Sequence, residues 1–511
     1  MKGAPASRRP RSGRAHASTF GRRRASLLQG RWPPTLRGRD GTLTILLMVL
    51  LVWIGLGQAG QTGSEWATNA ILFGSLVVVR EVTSHSHPQD AGFLLKGLAV
   101  PGLLFTIAVV WSLIQLSTSV PSGLSHPIWG LAGEALGKSL DGRITVDPEL
   151  TRLAILRLMT VGCAFWIAAH VSVDAERGLL LLLAVAVIGA LHGLYALANP
   201  VGLPSAAGGR GSLEGTFGNR NTLATYAGIG FLVATGLLWR RLRGHVEFSS
   251  GRMMVAELLQ RIGGKGLVLT GSILILGATL LLTGSRGGVI ATAAGLLTFL
   301  TLTILRRRSQ RRGGLGRDVW VAASVLAVMA ASFFAFGDLV AGRLSESGLS
   351  DGGRPFLFRT AWDAIASSPW LGYGYGTFEA VFPMFHDGSD DVWMGADSAH
   401  NTYLEVLLGL GIVGGGALIA SIAWVAVVCF RGALTLPRSA TLSAIAASVA
   451  ILTGLHALVD FSLKIEAVAI TSAIVLGVGF AQAARTPQDP ASTRGRARLA
   501  SVGDGSMMRT E

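Results

Sequence analysis

The stretch TYLEVLLGLGIVGGGALIASIAWVAVVCF, residues 402–430, decides the class of fold. It carries one charged side chain, Glu405, and an apolar run of about 18 or more residues with so few charges predicts a membrane-spanning helix. Directly before it stand Ala399, His400 and Asn401, so an imidazole and an amide lie where the span begins. Ionisable groups at such a boundary are costly, and their presence therefore indicates a functional site.

The composition of the whole chain agrees with a membrane protein. Of its 511 residues, 50% are hydrophobic and 14% are charged, and 68 are glycines. Soluble domains carry about 25% charged residues, and glycine is more frequent in membrane helices than in soluble ones. We therefore predict an all-α polytopic membrane protein with about twelve transmembrane helices. The predicted spans are Thr42–Gln58, Trp66–Val82, Phe93–Ser119, Leu150–Val171, Gly178–Asn199, Thr222–Trp239, Gly266–Thr283, Gly287–Leu305, Val319–Gly337, Thr402–Phe430, Ala440–Val459 and Glu466–Ala483.

The distribution of charge predicts how these spans are oriented. Lys and Arg concentrate in short cytoplasmic loops, and here they fill the even-numbered connections and both tails. We expect a disordered basic cytoplasmic arm at residues 1–41, a transmembrane domain at 42–484 and a disordered cytoplasmic tail at 485–511. The large loop 337–400 should then form a cap on the outer side. The net charge of +15 is explained by this bias and by anionic lipid, and nothing in the sequence predicts binding to nucleic acid.

Neither a metal nor a cofactor is expected. Cys163 and Cys429 both fall inside predicted spans, which argues against a disulfide framework or a metal site. The four aspartates between 387 and 397 are irregularly spaced in a glycine-containing loop, which favours a solvated loop over a divalent-cation site. The chain contains no P-loop sequence, so ATP hydrolysis is not predicted.

Five segments on the expected outer side carry the candidate functional residues. They are GTFGNRNTLATY at 215–226, LTGSRGG at 282–288, the run from Gly353 to Phe378 that contains RTAWDAIASSPWLGYGYGTF, AHNTYLEVLLGLGIVGG at 399–415, and HALVDFSL at 456–463. In the third segment, a helix is expected over Phe356–Ser367 and should end at Pro369. In this order and spacing the five segments resemble the O-antigen ligase/polymerase superfamily over residues 210–465. HPIWGLAGEAL and GRITVDPELT, from 126 to 151, resemble its exopolysaccharide-type branch.

This resemblance implies transfer of a glycan from an undecaprenyl-diphosphate carrier to an acceptor hydroxyl. The family is inverting and metal-independent and acts at the periplasmic face of the bacterial inner membrane. The resemblance carries over His400 and Arg286 as catalytic residues, with Arg210, Arg220, Arg354 and Arg359 binding the diphosphate. The acceptor is lipid A–core for a ligase, another lipid-linked repeat unit for a polymerase, or a protein. A lipid-linked glycan transporter remains an alternative of another class, although such proteins place charges near mid-membrane.

Independently of the resemblance, the chemistry of glycan transfer from a diphosphate carrier calls for residues of these types. A diphosphate leaving group gains negative charge as the sugar–oxygen bond breaks, and fixed arginine forks stabilise that charge. An acceptor hydroxyl has a pKa far above 7, so a histidine is a natural general base. Asn401, Asn221 and Asp460 are the expected supporting residues, and Glu405 could fix the tautomer of His400.

Alternatives remain open for several of these residues. Arg359 has Asp363 at i+4 and could form a surface salt bridge instead. The Asn residues on either side of Arg220 could simply cap the helix that follows them. Asn401, next to His400, could do the same for the span that begins at Thr402. His456 and Asp460, also four residues apart, could pair with each other. Which of Arg210 and Arg220 faces the substrate is open.

Overall fold

The computed structural model describes residues 34–56, 59–83, 88–199, 213–242, 251–309, 354–386, 396–436 and 440–484. Within these ranges the chain forms fourteen α-helices, short 3-10 turns and no β-strand. The helices are α1 Arg39–Trp53, α2 Gly63–Val82, α3 Pro88–Leu116, α4 Ile128–Leu136, α5 Pro148–Val171, α6 Ala175–Ala198, α7 Arg220–Leu242, α8 Gly251–Leu282, α9 Arg286–Ser309, α10 Arg354–Ser367, α11 Phe378–Phe385, α12 Thr402–Thr435, α13 Ala440–His456 and α14 Glu466–Ala483.

Eight helices in the described part of the chain are long and apolar enough to cross a membrane: α3, α5 to α9, α12 and α14. The protein is thus an all-α, multi-pass membrane protein, as predicted. The count of twelve is not confirmed. Three further predicted spans coincide with α1, α2 and α13, which do not meet the same length and composition criteria, and Val319–Gly337 lies outside the described residues.

The N-termini of α7, α9 and α12 meet at one end of the bundle, which we call the His400 face. Each is capped by a side-chain oxygen of its own loop. Asn219 accepts hydrogen bonds from the backbone N–H groups of the first turn of α7, at 2.8 and 3.1 Å, and Asn401 does the same for α12, at 3.0 and 3.1 Å. Ser285 caps α9 by accepting from Gly288 N at 3.2 Å. Helix N-termini carry partial positive charge, so this face favours an anion.

α12 is broken near that face at Gly411, where φ is +66°. Leaving backbone polar groups unpaired inside an apolar protein costs free energy, and a neighbouring loop pairs them here. Tyr373 N and Gly374 N donate to the carbonyl oxygens of Leu408 and Gly409 at 3.1 and 3.0 Å. On the far side of the break, Ile412 N donates to Pro369 O at 2.8 Å. The segments 369–374 and 408–412 are thereby joined into a seam.

Within the predicted cap loop the structure contains the expected helix, and it also contains a small hydrophobic core. α10 runs from Arg354 to Ser367 and ends before Pro369, which confirms the helix expected from the sequence. Its apolar side, with Leu357 and Ile365, packs on Phe378 and Phe382 of α11. The most enclosed helices of the bundle are α7 and α14, so the loops at their N-termini rest on a rigid base.

Candidate functional site

Asp460, in the loop between α13 and α14, is the centre of the polar contacts at the His400 face. Its side chain is fully buried. Oδ1 accepts a hydrogen bond from Asn221 Nδ2 at 3.0 Å, and Oδ2 accepts from Ser462 N at 2.9 Å and from the Ser462 hydroxyl. Burial alone would raise the pKa of Asp460, but His400 and the hydrogen-bond donors around the carboxylate outweigh it and hold that pKa below its ordinary value. The site therefore contains a buried, ionised carboxylate at neutral pH.

His400 lies beside this carboxylate. Its Nδ1 is 3.9 Å from Asp460 Oδ1, too long for a direct hydrogen bond but close enough for strong attraction to a protonated ring. Nδ1 is buried, while the side chain as a whole is 23% exposed, so the accessible part of the ring is on its other side. The ring also packs edge-on against Phe461, with centroids 5.0 Å apart. One edge of the imidazole thus faces a carboxylate, and the opposite edge is open.

The backbone of His400 has φ +50°, a left-handed conformation that a residue with a Cβ adopts only when its surroundings enforce it. Glu405, one turn into α12, supplies much of that enforcement. Its Oε1 accepts from the Ser398 hydroxyl at 2.6 Å and from Ala399 N at 2.9 Å, and Ser398 Oγ accepts from His400 N at 3.1 Å. The expectation that Glu405 fixes the tautomer of His400 is therefore wrong: this carboxylate binds the loop, and Asp460 faces the ring.

The first turns of α7 and α9, which carry Arg220 and Arg286, are tied to the same carboxylate. Asn221 donates to Asp460 and accepts from Ser285 Oγ at 2.8 Å. Arg220 precedes Asn221 in the chain and Arg286 follows Ser285, and both arginines are half-buried. Asn221, Ser285 and Asp460 therefore set the relative position of two cation-bearing turns and the histidine loop.

The remaining predicted residues lie elsewhere or take the simpler role. Arg359 is 85% exposed, with its Nε 4.0 Å from Asp363, so the structure gives it the surface contact that the i+4 spacing allowed. Asn401 caps α12. Arg354 is the first residue of α10, its side chain lies outside the described part of the chain, and so does the whole of Arg210.

Several residues of the network were not identified from the sequence. Thr225 Oγ hydrogen-bonds His456 Nδ1 at 2.5 Å and Ser462 Oγ at 2.9 Å, which joins α7 to α13 below Asp460. Ser285 had a local signal, since serine before the first residue of a helix is a common cap. Ser462 and Thr225 had none, because their partners are 237 positions apart. Among the described residues no group of three or more His, Cys, Asp or Glu side chains could hold a metal ion.

Comparison with known proteins gives one finding at this point. The family model described as O-antigen ligase matches residues 271–419, a region that includes the Arg286 turn, the cap helices and the His400 loop. No curated protein matches the chain. The Asn221 and Asp460 segments lie outside the matched region, yet they bond directly to residues within it. Residues 271–419 of this chain are therefore similar to O-antigen ligase, which supports the resemblance noted in the sequence.

Proposed function

We propose that this protein is a membrane glycosyltransferase of the ligase type, which moves a glycan from an undecaprenyl-diphosphate carrier to an acceptor hydroxyl. The observation that supports it most is the arrangement around Asp460. A histidine with one open edge lies against a buried carboxylate. The arginine-bearing N-terminus of α7 bonds that carboxylate through Asn221, and the arginine-bearing N-terminus of α9 bonds Asn221 through Ser285. This arrangement would hold a general base and a diphosphate-binding surface in one frame.

The histidine is suited to act as the general base. Asp460 Oδ1 lies 3.9 Å from Nδ1 of the ring, so its negative charge would stabilise the positive charge that the ring gains when it takes the proton of the acceptor hydroxyl. The hydroxyl oxygen then attacks the anomeric carbon, the bond from that carbon to the diphosphate oxygen breaks, and the diphosphate leaves with the electron pair. Attack from the side opposite the leaving group inverts the anomeric configuration in one step.

The leaving diphosphate needs positive charge. The N-termini of α7, α9 and α12 supply partial charges, and Arg220 and Arg286 at the first positions of α7 and α9 supply full ones. Arg210 and Arg354 are further candidates for diphosphate binding, and Arg359 would take part only by leaving Asp363. With this many cations the reaction does not require a metal ion.

The ends of the helices support an orientation for the site. α7 ends with Arg240 and Arg241, and α9 ends with Arg306, Arg307 and Arg308, at the end of the bundle opposite the His400 face. Positively charged helix ends favour the cytoplasmic side. The His400 face would then open to the periplasm of the bacterial inner membrane, with both chain termini in the cytoplasm.

Deletion in the native host, complemented with wild type or His400→Ala, tests the function. If the protein is a ligase, the deletion strain accumulates complete glycan on its lipid carrier. Single repeat units on the carrier would instead assign a polymerase with the same donor, and loss of lipid-linked glycan from the periplasmic leaflet would assign a transporter.

His400→Ala should insert at wild-type level and transfer glycan about 10²–10⁴-fold more slowly in membrane vesicles containing a chelator. His126→Ala is a matched control, because His126 accepts a hydrogen bond from Ile128 N at the start of α4, packs against Tyr373 of the cap and lies outside the proposed site. Transfer by His400→Ala at the rate of the control would remove the histidine from the mechanism.

A further inference from the structure

His456, the last residue of α13, is a buried imidazole that the proposed mechanism does not use. It is 2% exposed, too enclosed to contact a substrate. Its Nδ1 lies 2.5 Å from the hydroxyl oxygen of Thr225 on α7, and that oxygen lies 2.9 Å from Ser462 Oγ. The Ser462 hydroxyl in turn donates to Asp460 Oδ2. Three hydrogen bonds therefore lead from His456 to the carboxylate beside His400.

The protons of this chain can run in one direction only. A hydroxyl has a single proton, and Ser462 uses its own to donate to the carboxylate of Asp460. Thr225 must then donate to Ser462, and it can share the same proton with Asn221 O, 3.0 Å away. Thr225 keeps no proton for His456, so the imidazole carries its own proton on Nδ1 and donates it. Each bond is thus polarised toward Asp460, and bonds in such a chain strengthen one another.

The opposite edge of the His456 ring lies against the first turn of α9. A Cβ built on Gly287 would be 3.0 Å from both Cδ2 and Nε2 of the ring, closer than ordinary van der Waals contact. Gly287 directly follows Arg286 in the chain. Because glycine has no side chain, the ring can approach the backbone of the turn that carries this arginine. His456 therefore lies between the Arg286 turn and the hydrogen bonds that end at Asp460.

We infer that His456 is a positioning residue for glycan transfer and acts on Asp460 through two hydroxyl groups. The chain occupies Oδ2 of the carboxylate, which leaves Oδ1 to face Asn221 and His400. The distance of 3.9 Å from Oδ1 to His400 is too long for a hydrogen bond, so the orientation of the carboxylate depends on its other partners. The inference rests on the proposed function, since it assumes that His400 is the base. Loss of the chain should misplace the negative partner of that base without removing a substrate contact.

Variants of Thr225 test this role, because its hydroxyl is the middle of the chain. Thr225→Val has nearly the same shape but cannot hydrogen-bond, so it should lower kcat about 10- to 10²-fold and leave KM for the donor unchanged. Thr225→Ser keeps the hydroxyl and should recover most of that loss. Thr453→Val is the matched control, since Thr453 is a buried threonine one turn before His456, with its hydroxyl on carbonyl oxygens of its own helix at 3.0 and 3.3 Å.

His456 itself is tested by two replacements. Asparagine places an amide N–H close to where Nδ1 stood, so His456→Asn should retain most of the transfer activity. Leucine fills the space without a donor, so His456→Leu should behave like Thr225→Val. Asparagine also lacks the far edge of the ring, which makes room at α9. Gly287→Ala should therefore cost less activity in the His456→Asn background than in wild type.

Rates are measured in membrane vesicles of the deletion strain that carry each variant, titrated with the lipid-linked glycan extracted from that strain and normalised to folded protein. A raised KM in Thr225→Val, or an equal loss of kcat in Thr453→Val, would overturn the inference. An unchanged kcat in Thr225→Val, even with a lower unfolding midpoint, would make the chain structural and overturn it too.

The His400→Ala variant, measured beside these, separates this inference from the proposed function. If His400→Ala loses transfer while Thr225→Val keeps the wild-type rate, the inference about His456 alone fails. Normal transfer by His400→Ala would remove the base and the inference with it. A wild type that transfers no glycan would overturn the proposed function as well.

Discussion

Asn221 and Ser285 are hydrogen-bonded across two helices: the amide oxygen of Asn221 accepts from Ser285 Oγ at 2.8 Å, while its Nδ2 donates to Asp460. One carboxamide thus spaces the first turn of α7 from the first turn of α9 and fixes both to a buried carboxylate. Because an amide both donates and accepts, neither aspartate nor leucine could replace it here.

Asn221→Ala should lower the free energy of unfolding by about 1–3 kcal/mol, since it leaves an Asp460 oxygen and the Ser285 hydroxyl short of a partner. Asn221→Asp should be worse, because it places a second carboxylate against Asp460. Thermal unfolding in detergent measures both, with Asn199→Ala, an exposed helix-end asparagine, as control. In a double-mutant cycle, the effects of Asn221→Ala and Ser285→Ala on the free energy of unfolding should not add. Strictly additive effects would contradict the coupling between these two residues.

Arg286→Lys should keep the positive charge at the start of α9 yet lose much of the transfer activity, because lysine cannot bind two phosphate oxygens in one plane. Arg359→Lys is the matched exchange on the cap, where the side chain is 85% exposed, and it should transfer at nearly the wild-type rate. Initial rates in vesicles, normalised to protein level, measure both variants. Equal rates for the two would argue against bidentate binding by Arg286.

The charge of Asp460 should matter for stability over most of the pH range. Its pKa lies below the ordinary value of 3.8, so the stability gained from ionisation is present above that value and is lost as the pH falls below it. The difference in unfolding midpoint between wild type and Asp460→Asn should therefore stay constant from about pH 8 to 5 and shrink only in stronger acid. A difference that disappears between pH 7 and 5 would assign the carboxylate a raised pKa instead.

Glu405 should act through the backbone of the histidine loop rather than on substrate. Glu405→Gln keeps an oxygen that can accept from Ser398 and Ala399 and should retain most activity, whereas Glu405→Ala releases the loop. A displacement of about 1 Å at a reacting group can cost about 10²-fold, so Glu405→Ala should reduce kcat with little change in KM for the donor. The exposed Glu134→Ala serves as control. A raised KM with normal kcat would indicate that Glu405 contacts substrate.

Gly411 and Gly416 offer a paired test of the break in α12. A Cβ on Gly411 would lie 2.4 Å from Trp370 O, on a backbone with φ +66°, so Gly411→Ala should unfold or misassemble the chain. A Cβ on Gly416 would meet nothing within 4 Å, so Gly416→Ala should be neutral or slightly stabilising, since alanine favours helix by about 1 kcal/mol. Yield and thermal midpoint after purification distinguish them, and equal behaviour would contradict a break at Gly411.

The sequence predicted the parts of this fold that depend on local hydropathy. Eight spans and the cap helix follow from apolar runs and from Pro369, because length and polarity alone determine them. The break at Gly411 was not predicted: Thr402–Phe430 reads as one continuous span, and glycine is too common in membrane helices to mark a kink. Only its contact with residues 369–374 explains it.

The candidate site was predictable in its residue types but not in its connections. The sequence identifies both His400 and Asp460, but for Asp460 it also offers His456, four residues earlier, as a partner. α13 ends at His456, so that helical spacing does not continue to Asp460, whose amide partner is 239 positions away. Pairings of this range depend on how α7, α9, α12 and α14 pack, which no local pattern encodes.

The seam between segments 369–374 and 408–412 bears on how a substrate would arrive. Three backbone hydrogen bonds join the cap to the two halves of α12, and the side chain of Gln115 adds bonds to Leu371 O and Gly409 O at 2.7 and 2.8 Å. A flap that swung open would have to break all of them and expose the carbonyls of a broken membrane helix. This part of the cap is therefore fixed to α12, and a lipid-linked donor would have to reach the proposed site by a route that leaves these hydrogen bonds intact.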